Sequence, residues 1–144
     1  EMSASLVGSE MCIRDRVKAV ISNKRTLMEY RYSASGALTD GTSWGWQDLG
    51  PLWVPLEYEV FGSTIWGTKG WSQGQGVQYP IFANSFLNRI KGAGNGGGRC
   101  SWWTASVRSG YSTECVYVYN SGHSSGWHAS YELCVPVCFR IDEA

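Results

Sequence analysis

The chain has 144 residues, enough for one domain with its own core, and its 12 basic and 12 acidic residues cancel to a net charge of zero. That balance speaks against nucleic-acid binding driven by charge, and no apolar run reaches the ~18 residues that cross a bilayer, so membrane insertion is not expected. Eight Trp, eight Tyr and 18 Gly suit short strands, tight turns and aromatic surfaces.

Residues 3–8 are polar and follow no basic residue, so they do not read as a secretory signal. The stretch from Leu6 to Arg16 resembles a peptide produced when sequencing-library adapter is translated along with a gene fragment. Residues 1–16 are therefore expected to be a non-native leader. The remainder, 17–144, is expected to be a single domain forming the C-terminal part of a longer protein.

Residues 17–22 read as a strand and 27–32 as a second strand or a short helix, with turn clusters at 33–36 and 39–43. Leu52-Trp53-Val54-Pro55 reads as a short strand stopped by proline, and 56–61 as one or two helical turns ended by Gly62. Residues 62–78 are glycine-rich and carry too few aliphatics for a core element, so they read as loop. The main helix is expected over about 80–91. Pro80 suits its first turn, Ile81, Phe82, Phe86 and Ile90 recur at helical spacing, and Arg89 and Lys91 suit its C-terminal end before Gly92. Beyond a glycine loop at 92–98, strands are expected at 101–107, 115–119, 127–131 and 133–141, with a tight turn at Asn120-Ser121-Gly122. Small antiparallel sheets packed by one main helix, with long glycine-rich loops, make an α+β domain.

Candidate chemistry is sparse. Gly92-Ala93-Gly94-Asn95-Gly96-Gly97 matches G-x-G-x-x-G, but a phosphate-binding loop needs a strand before it and a helix after it, and here the expected order is reversed. Glu57 and Glu59 flank Tyr58 as a carboxylate pair, and the expected reading is a solvated edge or a capping interaction rather than acid–base catalysis. His123 and His128 are the only histidines; even with Cys115 or Cys134 they match no ligand spacing for a zinc site, so neither metal nor cofactor is expected. Asp15, Asp40, Asp48 and Asp142 lie far from the histidines in sequence and no G-x-S-x-G elbow is present, so no catalytic residue is assigned. Beyond Cys12 the cysteines are Cys100, Cys115, Cys134 and Cys138. In an extended segment Cys134 and Cys138 stand about 13 Å apart, too far for one disulfide or one metal. A cross-strand pair such as Cys115 with Cys134 and buried free thiols both stay open.

The aromatic and polar residues near the C-terminus are the stronger signal. Strand alternation places Tyr117 and Tyr119 on one face and Val116 and Val118 on the other, toward the core. The loops around them carry residue types that give rigid contact area and adaptable hydrogen bonds. The expected ligand contacts are Arg108, Tyr111, Tyr117, Tyr119, His123, Trp127, His128 and Tyr131. For Trp102, Trp103 and Tyr117 the competing reading is packing in the core.

The series Leu52-Trp53-Val54-Pro55-Leu56-Glu57-Tyr58-Glu59-Val60-Phe61-Gly62, Gln78-Tyr79-Pro80-Ile81-Phe82-Ala83, Ser101-Trp102-Trp103-Thr104-Ala105-Ser106 and Val135-Pro136-Val137-Cys138-Phe139-Arg140-Ile141 resembles an uncharacterised domain family of phages and gut Firmicutes. Coverage is about residues 45–141. The family looks like a variant of the C-type lectin fold, the scaffold shared by formylglycine-generating enzymes and by the variable proteins of diversity-generating retroelements. The resemblance implies a non-enzymatic ligand- or receptor-binding domain of phage-tail or adhesin type, at the virion tail or the bacterial cell surface. A bacterial surface protein or glycan would be its partner, met by a face between Trp103 and Val135 that a retroelement would diversify. The alternatives are a structural phage assembly protein, self-associating as a trimer, and a formylglycine-generating-like or metal-dependent enzyme. The calcium-lectin triplets Glu-Pro-Asn and Gln-Pro-Asp are absent, so calcium-dependent sugar binding is not implied. Cys134 and Cys138 do not fit the reactive cysteine pair of a formylglycine-generating site.

Overall fold

The computed structural model describes residues 20–29, 44–68, 77–94 and 96–141. In chain order they form β1 (Ile21–Ser22), β2 (Arg25–Glu29), β3 (Trp44–Asp48), α1 (Glu57–Phe61) and α2 (Pro80–Asn84), followed by a 3-10 turn at Phe86–Arg89. Then come β4 (Lys91–Gly92), β5 (Arg99–Cys100), β6 (Trp102–Val107), β7 (Glu114–Val118), β8 (Ser124–His128) and β9 (Arg140–Ile141). β6, β7 and β8 make a three-stranded antiparallel sheet in that order, and β1–β9, β2–β3 and β4–β5 are two-stranded antiparallel pairs. The class is α+β with several small antiparallel sheets. The leader at 1–16, the turn clusters at 33–36 and 39–43, and residues 17–19 of the first expected strand lie outside the described residues.

Trp102 anchors the core. It is fully buried with Val60 of α1, Phe82 of α2 and Val118 of β7, its ring stacked on Phe82 at 6.1 Å and 26°. Its indole N–H donates to the Arg89 carbonyl at 2.8 Å, which satisfies a main-chain group at the end of the 3-10 turn. The two valines of β7 are turned inward as expected: Val116 and Val118 are completely buried, Val118 in this core. Between Trp103 and Val107 the β6–β7 register shifts. The Thr104 hydroxyl donates to the Val116 carbonyl at 2.8 Å there, and the main chain of Ala105 donates to Pro55 O at 2.8 Å. The irregularity thus opens the outer edge of β6 to the segment before α1. α1 is the helical turn expected before Gly62, whose N–H bonds Tyr58 O at 2.8 Å.

Five expectations are corrected. The continuous helix over 80–91 is two short pieces: Ser85 is extended at φ −154°, ψ 129°, its hydroxyl accepts from Leu87 N, and residue 91 already belongs to a strand. Ile81, Phe86 and Leu87 are exposed, so no apolar stripe holds a longer helix to the core. The last strand, expected over 133–141, is reduced to β9, with single bridges from Cys134 to Trp102 and from Cys138 to Trp53; Trp53 is likewise only a bridge and no strand. The expected strand at 127–131 lies earlier, as β8, and Trp44–Asp48, which carried no expected strand, pairs with β2. The G-x-G-x-x-G segment joins β4 to β5, closed by Ala93 N to Gly98 O at 2.8 Å, so a strand and not a helix precedes it.

The segment before β9 has an inverted pattern. Val135, Val137, Phe139 and Ile141 are exposed, whereas Cys134, Pro136 and Cys138 are half-buried. The two cysteines within it bridge to different partners, Cys134 to Trp102 and Cys138 to Trp53. Cys134 lies beside Cys100, the two thiols within hydrogen-bonding reach, and Cys138 sits against Trp53. Cys115 pairs with Trp127 near the opposite end of β7, so it does not meet Cys134. Among the described residues no disulfide joins Cys100, Cys115, Cys134 or Cys138 to another.

Candidate binding site

β8 begins after the turn at 120–122, where Gly122 takes φ +89° and a Cβ would come within 2.9 Å of the Phe86 ring. Only glycine fits both demands. The turn reverses the chain through Tyr119 N to His123 O at 2.8 Å, and β8 then runs against β7 with Tyr117 opposite Ser125, Cys115 opposite Trp127 and Glu114 opposite His128. Successive residues of a strand point to opposite faces, so the expected contacts fall on two surfaces rather than one.

On the face shared with α1, Arg108 is the centre. Its guanidinium lies 4.9 Å from the Trp66 ring centre and 4.1 Å from that of Tyr111, and it pairs with the Glu114 carboxylate. His128 approaches the other Glu114 oxygen at 3.8 Å and contacts the Thr113 hydroxyl at 3.4 Å. Gly126 makes this possible: a Cβ there would stand 2.5 Å from Arg108 Cδ, so the absent side chain is the space in which the arginine lies across β8.

The stack is fixed from below by Glu57, a residue that sequence reasoning placed at a solvated edge or in a capping role. It is buried instead, 1% exposed. Its carboxylate accepts from Trp66 N at 3.1 Å, Gly67 N at 2.8 Å and the Ser124 hydroxyl at 2.6 Å. The Trp66 indole donates to Ser124 O at 3.0 Å, and Ser109 N donates to Trp66 O at 2.9 Å. One carboxylate therefore joins α1, the 64–68 loop and β8, which leaves Trp66 little freedom to leave Arg108. Glu59 does cap, accepting from Leu56 N at 2.9 Å, but it too is buried.

On the opposite face Trp103, Tyr117 and Tyr119 form an edge-to-face series, with ring centres 5.8 and 6.3 Å apart. Tyr117 is buried within it. It is a packing residue, which corrects its place among the contacts, because the rings on either side occupy its surface. Tyr119 is exposed, and further along Trp127 and Tyr131 meet edge-to-face at 5.3 Å, 45% and 54% exposed. His123 is exposed at the turn, with its Nδ1 3.1 Å from the Ser121 hydroxyl and its ring near Phe86. The structure thus groups Arg108, Tyr111 and His128 on one face and Tyr119, Trp127 and Tyr131 on the other. Trp66 was missed because it lies some forty residues upstream in a glycine-rich loop, and its one signal was an aromatic residue in a segment with no core to join.

Such surfaces offer flat aromatic faces, one cation already oriented by a carboxylate, and hydroxyl and imidazole groups at the rim. They suit contact with sugar rings or with planar and apolar side chains. Among the described residues no three His, Cys, Asp or Glu side chains converge as a metal site, and no helix is long and apolar enough to span a membrane. Against protein-family models, curated proteins and solved structures the chain finds no match.

Proposed function

We propose that the chain is a non-enzymatic recognition domain on a C-type-lectin-like scaffold, carried by a phage tail or bacterial surface protein, that binds a bacterial surface protein or glycan. The observation that carries this reading is the Trp66–Arg108–Tyr111 stack: Trp66 and Tyr111 are exposed, yet the stack is locked to the core through Glu57 and Glu114. Contact groups ordered before binding lose little further freedom on binding, which favours affinity. The resemblance of residues 45–141 supports the scaffold, and β8 with its flanking loops is the segment in which specificity would reside.

The test is a triple variant, Tyr111→Ala, His123→Ala and Trp127→Ala, because all three side chains are exposed. Binding of the labelled protein to host bacteria should be abolished while the melting temperature stays nearly unchanged. Undiminished binding overturns the reading. A collapse of the melting temperature reassigns these residues to packing. A near-copy of the coding segment for residues 103–135, differing mainly at adenines and lying beside a reverse-transcriptase gene, would mark the face as diversified.

A further inference from the structure

A cleft of about 670 Å³ shares no lining residue with either aromatic face. Its floor is polar and closed upon itself. The Lys24 ammonium pairs with Glu59 and donates to the Tyr79 hydroxyl at 3.0 Å, while the Trp53 indole donates to the same hydroxyl at 2.9 Å. Lys24 also lies over the Trp53 and Tyr79 rings, at 5.3 and 5.5 Å. Burial, followed by the Glu59 charge, raises the Tyr79 phenol well above its ordinary range, so it stays protonated and neutral.

The walls are apolar. Val77, Ile81, Val137 and Phe139 line the cleft and are all at least half exposed. Exposed apolar side chains gathered around one concavity mark a site that something covers. The sign of the rim follows from its charges. Lys24 and Glu59 neutralise each other and Glu59 is the one carboxylate among the described lining residues, so the Arg25 and Arg140 guanidinium groups, the latter donating its Nε–H to the Ser22 hydroxyl at 2.8 Å, make the rim positive. Arg25 is exposed and rests over the Trp46 ring at 5.8 Å, with Asp48 opposite it in the β2–β3 register.

We propose that this cleft binds a small molecule that joins an apolar body to a single anionic group, the body lying between Ile81, Val137 and Phe139 and the anion meeting Arg25. The volume falls in the range of small-ligand sites, roughly 300–1,000 Å³. The site is separate from the recognition faces and stands or falls independently of their function.

Titration with 8-anilinonaphthalene-1-sulfonate, beside the uncharged N-phenyl-1-naphthylamine, tests it. One saturable sulfonate site per chain is expected, tighter than that of the neutral probe and weakened by salt. Arg25→Gln should weaken the sulfonate about tenfold and leave the neutral probe unchanged, whereas Val137→Asp should remove both. Either variant should keep the parent melting temperature, since both side chains are exposed. Equal affinity for the two probes, binding indifferent to Arg25→Gln, or binding that never saturates overturns the proposal. So does concentration-dependent self-association in sedimentation that Val137→Asp abolishes, which would assign the apolar wall to a second copy of the chain.

Discussion

Glu57 shows how much one side chain decides. Its carboxylate takes three hydrogen bonds in a place with almost no water, so removing it strands two main-chain amides and a hydroxyl. Glu57→Ala is expected to cost about 3 kcal/mol in urea unfolding, with faster amide exchange at Trp66 and Gly67. A loss below ~0.5 kcal/mol, the range of an ordinary surface substitution, would mean that the loop is held by other contacts. The sequence hid this role. A glutamate in the first turn of a short helix next to a second glutamate ordinarily faces solvent, and only the return of residues 66 and 124 from distant positions supplies the donors that permit burial.

Among the elements, β7 was legible and β8 was not. Val116 and Val118 alternate with Cys115 and Tyr117, so period and propensity agree on a strand half turned to the core. Ser124-Ser125-Gly126 has neither; it is a strand because the turn at 120–122 delivers it onto β7, a tertiary cause with no local signature. The helix expected over 80–91 failed in the opposite sense. Phe82, Phe86 and Ile90 have helical spacing, but only Phe82 is buried, and the Ser85 hydroxyl competes for the main chain by accepting from Leu87 N. What holds α2 is therefore Phe82 against Trp102. Trp102→Ala should cost about 3–5 kcal/mol, and it should loosen α2 and β7 together, visible as parallel loss of hydrogen-exchange protection at Phe82 and Val118. Protection lost in β7 alone would separate the helix from this core.

At the scale of the whole molecule, stability should depend on alkaline pH. Burial, and then the Glu59 charge, push the Cys138 thiol above its ordinary 9.0, and Tyr79 is raised by the same two causes. A raised acid favours the protonated form in the fold. Its contribution is complete below the unfolded value and is lost as pH climbs through the folded one. The urea midpoint should hold from pH ~7 to ~8.5 and fall above ~9, and Cys138→Ala should flatten part of that fall. A midpoint level to pH ~10.5 would place the thiol in contact with water. The α+β class followed from the order of patterns along the chain, whereas the division of the expected contact residues between two faces did not, since it depends on which residues of β8 meet β7. Gly126 turns that division into a rule about permitted spelling. Residues 125 and 127 point away from Arg108 and can change identity without disturbing it. Any replacement at 126 puts an atom where Arg108 lies. Position 126 is therefore expected to stay glycine wherever Arg108 lies across β8, and variants that altered it while keeping Arg108 would show the stack to be dispensable.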